Sequence, residues 1–245
     1  MRTILIVTAV LSLGLWACAL GAEPAAPATA AAAADAPTVD RVLDNMEKVR
    51  LTLKSFKADV DKLRVVEALG DEEKFKGTIQ FRMPRLLRLE LKNTENGKET
   101  IYIVGAKYGW IYRPQAKQAE QAELKDIREQ KKSANPLEYG LARDLRELKD
   151  AYTLKLLPEE KVGEARALPL EMTPLPANAG AGKMIFWVDP ATWLPSRIRE
   201  FKSNNEIIET HTFTNMQLNV SVPDKAFELP KGVDIIMQDA EPAKK

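Results

Sequence analysis

The chain has 245 residues, with 36 Lys and Arg against 35 Asp and Glu. Signs that cancel so nearly leave no field to recruit nucleic acid, and no Lys/Arg stripe interleaves with aromatic residues. With one histidine and one cysteine there is no metal-spaced set and no internal disulfide, and the length fits one sheet-based domain behind an export leader.

Residues 1–22 read as a secretory signal peptide: Arg2, an apolar run to Trp16, then small residues. The run is too short to span a bilayer securely, and no basic stop-transfer cluster follows it. Leu15-Trp16-Ala17-Cys18 has the outline of a bacterial lipobox, with bulky Trp16 where that motif has a small residue. Two outcomes stay open. Either Cys18 is acylated and becomes the mature N-terminus, or cleavage after Ala19, Gly21 or Ala22 discards it. Residues 23–37, almost all Ala and Pro, cannot bury enough surface to fold and form a disordered linker.

A folded domain is expected over 38–237. Val42, Leu43, Met46, Val49 and Leu53 have helical spacing, with Thr38 as N-cap. From Phe56 the period changes to two, a strand that runs toward Val66. Phe75, Gly77, Ile79 and Phe81 share one face of the next strand. Pro84 breaks the ladder, and Leu87, Leu89 and Leu91 then share a face, with Arg88, Glu90 and Lys92 opposite. Asn96-Gly97 marks a hairpin into Thr100 to Val104, followed by strands at Tyr108 to Tyr112 and Lys117 to Leu124.

A second helix begins with Asn135 as N-cap and Pro136 at its first position, and carries Leu137, Leu141, Leu145 and Leu148 on one stripe. Strands follow at 152–157, 166–173, 183–189, 194–201 and 206–216, about eleven in all. Residues 238–245 are a disordered, charged tail. Two helices cannot wrap so much sheet. The expected fold is therefore mainly β with α (α+β), an incomplete antiparallel β-barrel with a helical lid across its open side.

Catalytic chemistry is hard to find along this chain. No Gly-rich phosphate loop and no Gly-x-Ser-x-Gly elbow occurs. His211 lies in the alternating sequence Glu206 to Phe213 and reads as a polar strand residue. A glycosidase needs only two acids and stays formally open, but the acids here are mostly balanced by nearby Lys or Arg, as on a solvated surface. The chain reads as non-enzymatic, with no metal and no cofactor.

An ordered series of motifs remains: Gly77-x-x-x-Phe81-x-x-Pro84-x-x-Leu87-Arg88-x-Glu90, Gly105-x-x-x-x-Trp110-x-Tyr112-x-Pro114, Ile185-x-x-Val188-Asp189 and Leu194-Pro195. Phe213-x-Asn215 and Pro223-Asp224-x-x-Phe227-x-x-Pro230-x-Gly232-Val233 complete it. In this series the chain resembles the bacterial lipoprotein carriers, the LolA and LolB family, from about Val42 to Val233. The resemblance implies an incomplete barrel of eleven strands under a helical lid. It further implies a monomeric periplasmic carrier or receptor, soluble or anchored to the outer membrane through Cys18, that shields lipoprotein acyl chains during transfer to that membrane. Its partners would be acylated lipoproteins, an inner-membrane lipoprotein-releasing transporter and an outer-membrane acceptor. A second reading stays open, an envelope sensor or docking protein of the same fold that binds lipidated partners without transporting them.

On this reading Phe81, Leu87, Leu89, Leu91, Trp110, Tyr112, Phe186, Ile198 and Phe213 line the acyl cavity, and Leu43, Met46, Leu141 and Leu145 form the lid's inner surface. For each aromatic ring an ordinary core position is the competing reading. Carriers of this family hold the lid with an arginine directly before the proline. Here that position is Met83, and Arg82, displaced by one residue, is expected on the other face. Leu87 stands at the family's aromatic position and keeps an apolar contact.

Overall fold

The structure, a computed structural model, describes residues 37–124, 145, 147–178, 182–202 and 206–237. The expectations for the leader, Cys18, the linker, Asn135, Pro136, Leu137, Leu141 and the charged tail lie outside the described residues.

Thr38 starts the first helix, α1 (Val39–Thr52), its hydroxyl accepting from the Arg41 amide at 3.2 Å. Leu53 and Lys54 turn the chain into a long antiparallel meander. Its strands are β1 (Ser55–Val66), β2 (Asp71–Arg82), β3 (Leu86–Asn93), β4 (Glu99–Val104), β5 (Tyr108–Arg113) and β6 (Gln118–Glu123). A short helix, α2 (Glu147–Ala151), leads into β7 (Tyr152–Leu156), β8 (Glu160–Val162), β9 (Ala165–Pro174), β10 (Lys183–Val188), β11 (Pro195–Lys202) and β12 (Ile207–Leu218).

β12 returns to pair with β1, and this one junction joins the two meanders into a continuous sheet. The described strands number thirteen, and the sheet runs from β13 (Asp234–Met237) to β7 without closing. The expected fold class is the one observed. The strand count differs by two, and both additions are short. β8 has three residues and folds back on β9 through Gly163, whose φ of 61° suits glycine. β13 has four, all exposed, and pairs parallel to β6. Neither is long enough to display an alternation.

Directly paired residues share a face of the sheet, so the pairings define an inner face. One row runs Phe56, Phe81, Leu87, Val104, and the next Ala58, Ile79, Leu89, Tyr102. A third runs Val60, Gly77, Leu91. There a Cβ on Gly77 would lie 1.7 Å from the Glu90 carbonyl oxygen, so β2 and β3 approach more closely than any other residue allows. Across the β1–β12 junction the face continues through Phe213, Ile198, Phe186 and Leu170. Val42, Leu43 and Met46 of α1, with Leu145 and Leu148, pack on this face and complete the main core. The helices are the cover, and the sheet is the wall.

Candidate functional site

The inner face brings together seven of the nine expected wall residues. Phe81, Leu87, Leu89, Leu91, Phe186, Ile198 and Phe213 are all buried in one apolar cluster with Leu43, Met46 and Leu145 of the expected lid. Sequence reading missed several members. Ile79 and Leu170 are fully buried there, with Met172 and Met184 beside them. A signal was present: Ile79 has the parity of Phe81, and Met184 that of Phe186.

Trp110 and Tyr112 lie elsewhere. The β4–β5 register pairs Ile103 with Trp110 and Ile101 with Tyr112, so both rings stand on the outer face, while Val104 and Tyr102 stay inside opposite Leu87 and Leu89. The two rings belong to a second cluster with Ile101, Ile103 and Ala119, against which Leu229 and Val233 pack. The Trp110 indole donates to Gln121 Oε1 at 2.8 Å, and Gln121 Nε2 reaches Met237 Sδ at 3.3 Å. These rings hold the C-terminal segment. The length of the turn at 105–107 sets that register, and turn geometry is what alternation within a strand does not report.

Past the apolar rows the inner face becomes charged. The pairings set Lys62 opposite His211 and Arg64 opposite Glu209 on β1 and β12, and Glu200 opposite Glu209 on β11. Lys62 Nζ lies 3.0 Å from Glu209 Oε1, and Lys202 Nζ lies 2.8 Å from Glu209 Oε2 and 3.3 Å from Glu200. Burial opposes ionisation of Glu209, but the two ammonium groups overcome it and hold its pKa down at about 2. Burial raises the pKa of Glu200, with Lys202 opposing the rise. His211, the polar strand residue of the sequence, is buried. First burial, then Lys62, push its pKa down to about 4, so its ring is neutral at pH 7. The face thus has an apolar stretch and one ionic end. Sequence reading took these charges as solvated because alternation gives a residue's face but not the depth of its cover.

Arg82 points outward, as its displacement by one residue predicts. Its guanidinium donates to the Val222 carbonyl at 3.0 Å, pairs with Asp224 and lies 5.3 Å from the Phe227 ring. Met83, directly before Pro84, instead packs against the inner cluster. Among the described residues the arginine holds the C-terminal segment and not the helical cover.

Among the described residues no three His, Cys, Asp or Glu side chains stand together as a metal would need. Among the same residues no helix is long and apolar enough to cross a membrane.

A family model described as an uncharacterized protein matches residues 93–226, more than half of the chain. No curated protein matches in sequence. Among solved structures, an uncharacterized conserved protein from Thermus thermophilus is similar with a TM-score of 0.55 and 14% identity, over 82% of this chain and 100% of that one. A LolA superfamily protein, NE2245 from Nitrosomonas europaea, has a TM-score of 0.40 and 15% identity, over 79% of this chain and 98% of that one. The MucA/MucB complex of Pseudomonas aeruginosa gives 0.44 and 14%, over 80% of this chain and 62% of that one. The Thermus likeness is one of fold alone.

Proposed function

The chain belongs to the uncharacterized-protein family matched over residues 93–226, and we propose that its inner sheet face is a holder for the acyl chains of lipoproteins. The protein is exported by its leader and works in the periplasm as a carrier or receptor, shielding acyl chains on their way to the outer membrane. The observation that carries this reading is the kind of cover on the wall. An apolar face containing Leu87, Leu89, Leu91, Phe186 and Phe213 is closed by side chains of α1 and by Leu145 and Leu148.

Magnitudes make such a cover exchangeable. Its buried apolar side chains, Val42, Leu43, Met46, Leu145 and Leu148, contribute about 1.5–3 kcal/mol each, roughly 7–15 kcal/mol together. A sixteen-carbon acyl chain buried at about 0.8 kcal/mol per methylene contributes ~12 kcal/mol. Cover and cargo are thus matched, and a ligand with two or three chains outcompetes the helices without binding beyond recovery by a bilayer. The ionic end at Lys62, Glu209 and Lys202 gives the face a direction. Covering those charges with hydrocarbon is costly, so the alkyl chains lie on the apolar rows and the ligand's polar part faces the charged end.

The test is binding of a triacylated lipopeptide and of the same peptide without its acyl groups, followed by calorimetry. The acylated form binds and the bare peptide does not. Leu89→Glu, with its fold checked by circular dichroism, weakens binding at least tenfold, and Leu69→Glu, at an exposed position, leaves it unchanged. Equal binding of both peptides, or an unaffected Leu89→Glu, contradicts the reading.

A further inference from the structure

On the outer face, away from the wall, two arginines stand side by side, and among the described residues no carboxylate lies within ion-pair distance of either. The β10–β11–β12 pairings place Trp187, Arg197 and Thr212 in one row, and Ile185, Arg199 and Thr210 in the next. Both guanidinium groups lie over the Trp187 ring, at 5.6 Å for Arg197 and 5.3 Å for Arg199. Among the described residues each uses only its Nε hydrogen. Arg197 donates to the Thr212 hydroxyl at 3.3 Å and Arg199 to the Thr210 hydroxyl at 3.2 Å.

A guanidinium has five N–H donors. Among the described residues neither arginine has a carboxylate at ion-pair distance, in contrast to Lys62, Lys202 and Arg64 on the inner face. Glu160, whose charge acts on Arg197, has one oxygen taken up by the Trp187 indole at 2.8 Å. The pair carries a cost: burial, then the neighbouring Arg199 charge, lower the pKa of Arg197, with Glu160 opposing the shift. The Trp187 ring and the threonine hydroxyls hold both groups in place, so less side-chain freedom remains to be lost when a ligand binds.

We propose that Arg197 and Arg199, held by Trp187, form an oxyanion site on the outer face that takes a phosphate group. A tetrahedral anion suits the constellation because it has oxygens enough to accept from the Nη groups of both arginines at once. The Thr210 and Thr212 hydroxyls, whose oxygens accept from the arginines, keep their own hydrogens to donate beside it. The phosphate is carried by a lipid headgroup or is free in solution. This site stands independently of what the inner face holds, since it lies on the opposite side of β10 and β11.

The experiment uses the full mature chain and two probes, inorganic phosphate followed by the Trp187 indole N–H resonance, and flotation with phosphatidylglycerol against phosphatidylcholine vesicles. Arg197→Gln/Arg199→Gln lowers the response at least tenfold while the unfolding midpoint stays within a few degrees. Arg199→Lys, which keeps charge but loses the fork, gives an intermediate value and serves if the double variant does not fold. A response to phosphatidylglycerol alone assigns a lipid headgroup, and one to inorganic phosphate alone assigns the free ion; either supports the site. No response to either probe, or a double variant that responds like the parent, overturns it.

Discussion

Lys62 donates to Glu209 Oε1 at 3.0 Å on the same sheet face that carries Phe213, so an ion pair and a hydrocarbon wall share one surface. The carboxylate of Glu209 also accepts from Lys202 at 2.8 Å, and both Lys62 and Glu209 are largely shielded from water. Replacing Glu209 by Gln takes the carboxylate from Lys62 and leaves Lys202 only Glu200, at 3.3 Å. The expected loss is about 3 kcal/mol of folding stability, the cost of stranding buried charge. Urea denaturation at pH 7 measures it, and a loss below about 1 kcal/mol would place this group in water.

Acid acts on the same end of the face. The folded-state pKa of His211 is lowered to about 4 from its ordinary 6.5, so protons bind the unfolded chain more readily. Stability from the neutral ring is complete above pH 6.5 and is lost as pH falls toward 4, on the order of 3 kcal/mol. Glu209, lowered to about 2 from 4.5, adds a second loss between those values. Urea midpoints should therefore fall steadily between pH 6.5 and 4, and His211→Asn should flatten that slope while leaving the lower one.

Arg82 is expected to matter for the C-terminal segment and not for the cover. Arg82→Ala removes the contacts to Val222, Asp224 and Phe227, at a cost of about 1–2 kcal/mol. Amide exchange should speed up over 222–229 and not in α1, and acyl binding should be unchanged. Faster exchange in α1 would mean that Arg82 holds the helical cover after all.

Gly77 tolerates no side chain. With a Cβ at 1.7 Å from the Glu90 carbonyl oxygen, Gly77→Ala must push β2 from β3 in the middle of the wall. The variant should lose about 2 kcal/mol or more, as overpacked core positions do at about 1–3 kcal/mol. Gly70→Ala, where nothing lies within 4 Å, is the comparison and should lose only about 1 kcal/mol through its φ of 66°.

The sequence made legible what repeats. Alternation through Phe81, Leu87, Leu89 and Leu91 gave the wall, helical spacing through Leu43 and Met46 gave the cover, and a one-residue shift gave the outward Arg82. What it withheld depends on pairing. Trp110 and Tyr112 alternate as well as any wall residue, but their face is fixed by how β5 returns against β4, which is a property of the turn and not of the strand. The ionic end was hidden for a related reason: Lys62 is far in the chain from Glu200 and Glu209, and three strands must align before their charges meet. β13 left no sign at all, because four exposed residues beside β6 have no face to bury.

Hydrogen exchange across α1, with and without a triacylated lipopeptide at saturation, tests the movable cover most directly. The account predicts that Val42 to Val49 lose protection on ligand binding while β2 and β3 keep theirs. Unchanged protection in α1 with ligand demonstrably bound would mean that the helices never leave the wall and that the acyl chains lie somewhere else.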